Sequence, residues 1–228
     1  MLRKYVIVLY LSIGLVLGCR EVEDPTRDLG YDFQPLEIGN FWEYVVEETI
    51  VFGENDSETS NFFIRDKVDY SYRNEAGEIV YVILREKGTS RNNYISDGNY
   101  ALFIRNNALV RMQNNERVVM LAFPPRLGRS WDGRVYSSNQ SEQFEIDLLG
   151  GYALDDRNYT QAARVLQEDD DDLITFRDKR YDVYVKGIGQ IEHYYEVLTY
   201  CSRNDCLGQQ LVDSGRKTHM KIINYGRN

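Results

Sequence analysis

From Trp42 onward the chain alternates. Trp42, Tyr44, Val46, Ile50 and Phe52 are apolar and Glu43, Glu47 and Thr49 stand between them, the period of two that a half-buried strand requires. Glu48 interrupts the apolar set: it places a carboxylate on the inward face, either at an open rim or on the wall of a ligand cleft. Phe62, Ile64, Val68, Tyr70 and Tyr72 repeat the pattern in a second strand, and residues 79–84, apolar on both faces, predict a central one. Short strands are expected over 93–96, 100–104, 109–112 and 117–123, parted by Asp97-Gly98, Asn106-Asn107 and Asn114-Asn115, pairs that accept the positive φ of tight hairpins. Residues 124–133 break the pattern around Trp131, which either plugs one end of the sheet or is presented to a ligand. More strands follow over 143–148, stopping at Gly150-Gly151, and over 159–166, with the five acids at 168–172 forming a solvated hairpin tip.

Near the end, Tyr181, Val183 and Val185 alternate, and Ile191, His193, Tyr195 and Val197 then share one face. His193 therefore points inward, as a core or rim residue or as a ligand contact. In a final strand Thr218, Met220 and Ile222 point in, while His219 faces out beside Lys217 and Lys221. No window of 11 residues shows a helical stripe, so the chain reads as all-β and antiparallel, with about ten to twelve strands. A sheet that long must curl or split. One strongly curved sheet forming a partial barrel is the expectation, with a two-sheet sandwich as the alternative, in a single domain over 35–228.

Ahead of this domain, Arg3 and Lys4 lead into an uncharged, largely apolar run over residues 5–17, too short for the roughly 20 residues that span a bilayer. Val16, Leu17, Gly18 and Cys19 resemble the lipobox of bacterial lipoproteins, which implies removal of residues 1–18 and lipidation of Cys19 with more than one acyl chain, palmitate among the usual ones. Residues 19–34 then read as the lipidated Cys and an acidic tether. Arg20 is unlike the aspartate that retains enterobacterial lipoproteins at the inner membrane, so the resemblance implies the outer membrane, on the periplasmic side or the cell surface. Pro35-Leu36-Glu37-Ile38-Gly39-Asn40-Phe41-Trp42-Glu43-Tyr44 resembles the opening of many β-rich envelope lipoproteins of unknown function. The Pro-x-Leu-Gly ahead of Trp131 and the Lys186-Gly187-Ile188-Gly189 phrase are similar to further elements of that group.

Composition narrows the partners. The 228 residues carry 27 Lys and Arg against 36 Asp and Glu, and without residues 1–18, which hold Arg3 and Lys4, the net charge is −11. No basic stripe is offered to a phosphate backbone, which argues against nucleic acid. Contact with the membrane is expected through the lipid on Cys19 and not through a charged face. Cys201 and Cys206 flank the turn-rich Arg203, Asn204 and Asp205 and, past an export signal, read as a disulfide. A metal site built with His193 and His219 is disfavoured, because His193 and Cys201 stand about 26 Å apart on one extended strand.

No Gly-x-Ser-x-Gly elbow and no His-Glu-x-x-His is present, and Gly187-Ile188-Gly189 precedes a strand where a nucleotide loop needs a helix. No catalytic residue and no cofactor is assigned, although paired acids for glycoside hydrolysis leave no trace in sequence. Beside an enzyme built on such a pair of acids, two non-enzymatic functions are in view. One is a non-enzymatic docking subunit of an envelope protein assembly; the other is a binding module for a lipid, glycan or other small ligand, with Trp42, Glu48, Trp131 and His193 as the residues to test. A binder should own a concave pocket with convergent polar groups, a docking protein a flat aromatic patch.

Overall fold

The alternating stretches pair as antiparallel ladders in nearly the order they occur. The computed structural model describes residues 28–137 and 141–227, so the signal, Cys19 and the first part of the tether lie outside the described residues. A 3₁₀ turn, Tyr31–Phe33, precedes twelve strands: β1 (Asn40–Gly53), β2 (Asp56–Arg73), β3 (Ile79–Ser90), β4 (Asn93–Arg105), β5 (Ala108–Gln113), β6 (Glu116–Ala122), β7 (Ser130–Asp132), β8 (Gln143–Leu154), β9 (Arg157–Asp171), β10 (Phe176–Val185), β11 (Gly189–Tyr200) and β12 (Val212–Arg227). They form one sheet in the order β6-β5-β4-β3-β2-β1-β12-β11-β10-β9-β8-β7. First and last strands thus pair at its centre, with Tyr44 opposite Ile222 and Val46 opposite Met220.

The sheet curls until its two edges meet. Across that seam the Val119 N–H donates to the Gly133 carbonyl at 2.8 Å, and Trp131 Nε1 donates to the Val119 carbonyl at 2.9 Å. Curling hides edge groups that would otherwise template another chain. The partial barrel is therefore the outcome and the sandwich alternative is not. Inside, Val46, Val68, Ile83, Leu121, Ile146 and Val165 are almost wholly excluded from solvent, each contributing about 1.5–3 kcal/mol by leaving water. On the outer face a smaller cluster, Val80, Ala101, Phe103, Val110 and Val119, lies beneath Trp131 and Tyr136.

Four local expectations are corrected. Asp97-Gly98 is a bulge and not a hairpin: the register shifts between Arg85 and Glu86 opposite it, and residues 93–96 and 100–104 are one strand, β4. Gly98 has φ 115°, a value a bulge accepts as readily as a turn does. In the same way β8 does not stop at Gly150-Gly151 but bulges there and runs on to Leu154. The acid run is mostly strand, since β9 reaches Asp171; Asp172 forms the turn, accepting the N–H groups of Ile174, Thr175 and Phe176. Finally, residues 28–34 are not free tether. Phe33 and Gln34 are buried, the Gly187 N–H donates to the Asp32 carbonyl, and Lys186 Nζ lies 2.6 Å from Asp28.

These contacts close one end of the barrel. The entering chain, the Trp42 indole and the turns at 105–108 and 185–189 gather there, Tyr31 donating to Asn107 Oδ1 at 2.6 Å. The opposite end, where the β1–β2, β5–β6 and β9–β10 turns lie, is open. Among the described residues no helix is long and apolar enough to cross a membrane.

Candidate functional site

The inner face changes character from one end of the barrel to the other. Read toward the open end, β1 turns inward Trp42, Tyr44, Val46 and Glu48; β3 Ile83, Arg85 and Lys87; β5 Leu109, Arg111 and Gln113; β12 Met220, Thr218 and Arg216. Each series begins apolar and ends polar. The apolar half packs dry, whereas charged side chains cannot, because burying them unpaired costs several kcal/mol each. An open cavity therefore remains in the mouth, in two lobes of about 810 and 450 Å³ that share Arg111, Gln113, Glu116, His193 and Tyr195.

Its floor is built from buried acids. Asp182, with no solvent exposure, is met by Gln167 Nε2, Gln190 Nε2 and His193 Nδ1, each at 2.7 Å. These contacts fix the imidazole against β10 and leave its Nε2 without a partner among the described residues. Asp66, 2% exposed, accepts two bonds from Arg85, at 2.7 and 2.5 Å, and one from the Tyr100 hydroxyl at 2.9 Å. Burial opposes the Arg85 charge, but the adjacent Asp66 outweighs it and pushes the guanidinium pKa up. Burial, and then the same carboxylate, pushes the Tyr100 phenol well above its ordinary value.

Around the wall most charges are matched. Arg180 meets Asp178 at 2.6 Å and Glu142 at 3.5 Å, Arg134 meets Glu142 at 3.0 Å, and Arg216 approaches Glu48 at 3.6 Å. Two cations are not. Arg111 lies 4.3 Å from the Tyr100 ring centre and donates to Gln113 Oε1 at 2.6 Å, and its buried Nε has no partner among the described residues. Lys87 sits 3.7 Å from the Phe62 ring centre, with no carboxylate in ion-pair range among the described residues.

Of the residues singled out in the sequence, Glu48 and His193 line the cavity and the two tryptophans do not. Trp42 is 3% exposed at the closed end, its Nε1 donating to the Ile188 carbonyl at 2.5 Å, and Trp131 bonds across the seam. Cys201 and Cys206 lie at disulfide distance, Cα atoms 5.8 Å apart, in the β11–β12 connection, away from the cavity lining. His219 is on the outer face, 2.6 Å from Glu192 Oε1. Among the described residues no group of three or more His, Cys, Asp and Glu side chains is placed to hold a metal ion. Sequence reasoning missed Arg85, Arg111, Arg180 and Asp182, although strand parity carried a signal for three: Arg85, Arg111 and Asp182 stand two positions from the inward Ile83, Leu109 and Tyr184, while Arg180 has only Asp178 and Asp182 at that spacing.

No protein-family model matches the chain, and no curated protein matches it. Among solved structures it is similar to a Bacteroides fragilis protein described as a candidate exported protein with a YmcC-like fold, at 11% identity and a TM-score of 0.43, over 86% of this chain and 99% of that one.

Proposed function

We propose that this protein is a lipid-anchored envelope module that holds a small polar ligand in the open mouth of its barrel. The observation that carries this reading is the cavity itself: two joined lobes of about 810 and 450 Å³, within the size range of ligand sites, into which Arg111, His193, Glu48 and Tyr195 converge. Such a cleft is what separates a binder from a docking protein.

The lipobox resemblance supplies the anchor at Cys19, and Arg20 favours the outer membrane. Orientation follows from the path of the chain. The stretch from Cys19 to Asp28 reaches at most about 30 Å when fully extended, whereas β1, with 14 residues, is itself about 45 Å long. Asp28 is held at the closed end by Lys186, so the mouth points away from the anchoring bilayer, toward a ligand arriving from solution. A second reading, docking onto an envelope assembly, draws on Tyr70 and Tyr72, which stand two positions apart on β2 and are 51% and 45% exposed.

Native mass spectrometry of the full-length protein, extracted gently in detergent from its own membranes, tests both. A retained small mass beyond the acyl chains supports the binding module. A stoichiometric protein partner with no small mass transfers the weight to docking. A protein recovered alone and empty, and unchanged by metabolite mixtures, refutes the ligand reading.

A further inference from the structure

Charge at the mouth runs against the charge of the chain. The protein as a whole has nine more acids than bases, yet the two lobes are lined by six Lys and Arg against five Asp and Glu. Pairing sharpens the difference. Arg85, Arg134, Arg180 and Arg216 each have a carboxylate within 4 Å, which leaves Arg111 and Lys87 as the lining cations with none among the described residues. Of the lining acids Asp97 and Asp182 have no Lys or Arg in that range among the described residues; Asp97 is exposed on the β4 bulge, where water screens it, and Asp182 is already occupied by Gln167, Gln190 and His193.

Arg111 is the unusual one. It borders both lobes and also the small core void beneath them, so it stands on the floor and not at the rim. Arg111 is part-buried, and among the described residues it has no counter-charge within 4 Å and its buried Nε has no acceptor. Tyr100 and Gln113 hold the planar group from one face and one edge. Stability does not account for such a residue, since an apolar side chain at the same place would pack without the desolvation cost. A guanidinium held flat with unspent donors is, however, the shape that receives an oxyanion.

Building on the ligand-binding reading, we infer that the ligand is an acid, a small molecule bearing a carboxylate or phosphate group, which Arg111 receives on the cavity floor and Lys87 attracts from the wall. The remainder of the ligand lies along the apolar side of the lobes, formed by Val46, Phe62, Val118 and Met120.

The cavity contains its own reporters, because Met120 and Met220 line it. The test is methyl and arginine-Nε NMR on the labelled full-length chain in detergent, titrated with inorganic phosphate, with acetate, and with chloride at matched ionic strength. Saturable shifts of the Arg111 Nε–H and of both methionine methyls are expected with phosphate or acetate and not with chloride, and the anion that saturates first names the head group. Arg111→Gln should weaken that binding by about tenfold or more, the scale of a lost charge-assisted contact. Lys87→Gln should weaken it less. A neutral sugar and a neutral aromatic alcohol serve as a separate arm. If these move the methionine methyls while phosphate and acetate do not, the acid inference falls and the binding module stands. If nothing moves them, both fall. Binding that survives Arg111→Gln unchanged also overturns the inference.

Discussion

The Asp66–Arg85 pair under the cavity floor offers the sharpest test of how the polar zone is held. Asp66→Asn keeps the side chain's shape and an acceptor for the Tyr100 hydroxyl, but it removes the charge that two Arg85 bonds at 2.7 and 2.5 Å neutralise. Stripping one partner from a buried pair typically costs about 3–5 kcal/mol. The Arg85 side chain retains 18% exposure on the cavity side, so water recovers part of the loss and the lower end, about 3 kcal/mol, is expected. At roughly 2–4 °C per kcal/mol for a domain of this size, the melting temperature should fall by about 6–12 °C. The double variant Asp66→Leu with Arg85→Met removes both charges and strands only the Tyr100 hydroxyl, at about 1–3 kcal/mol. Urea denaturation of wild type, Asp66→Asn, the component single variants Asp66→Leu and Arg85→Met, and the double variant, followed by circular dichroism, closes the cycle. The double variant should be no less stable than Asp66→Asn. If the single substitution costs under about 1 kcal/mol, or if the losses simply add, the pair is not coupled as the geometry demands.

Three further outcomes are expected. Gly189 has φ 112° and an added Cβ would stand 2.8 Å from Trp42 Nε1, so Gly189→Ala should cost about 1–3 kcal/mol and shift the tryptophan emission, both read in one thermal melt. Burial works to raise the Glu192 pKa, but hydrogen bonds from His219, Tyr152 and Tyr181 outweigh it and hold the carboxyl below its ordinary 4.5. That stabilisation is present above about pH 4.5 and is lost as pH falls through the depressed value, so the urea midpoint of wild type should drop more steeply below pH 4.5 than that of Glu192→Gln. Trp131→Phe deletes the indole bond to Val119, at about 1 kcal/mol, and should speed hydrogen exchange at the Val119 amide, which bonds to Gly133 across the same seam; unchanged exchange there would mean the seam is closed by other contacts.

Much of the architecture was legible because the alternation that marks a strand also says which way each residue faces. Trp42, Tyr44 and Val46 could be placed inside from sequence, and the Asn106-Asn107 and Asn114-Asn115 turns are where positive φ was expected. Glycine misled at Gly98 and Gly150, since the freedom that permits a hairpin equally permits a bulge. The site was half visible. Glu48 and His193 stood out as polar residues on apolar faces, yet Arg85 and Arg111 sit where apolar runs finish and read as strand ends. Asp182 was hidden for another reason. The apolar series Tyr181, Val183 and Val185 marks the other face of β10, where Val183 is itself fully buried, so the larger apolar set did not mark the interior. Parity identifies a face; only the closure of the sheet says which face is inside.

That closure also explains why the polar half of the barrel is hard to attribute to stability. The apolar half, from Trp42 to Ile146, already gives the sheet a dry interior, and a barrel needing nothing more would continue it to the rim. Instead the strands carry Asp66, Arg85, Asp182 and Arg180 into the wall, each held by two or more hydrogen bonds or ion pairs, an arrangement that apolar residues of like volume would match or exceed in stability. What such networks do supply is rigidity of position: His193 cannot turn while Asp182 holds Nδ1, and Arg85 cannot swing into the mouth while Asp66 holds its Nε and Nη2. The polar groups of the cavity are thus kept in place, so that the proposed ligand would not need to order the groups that receive it.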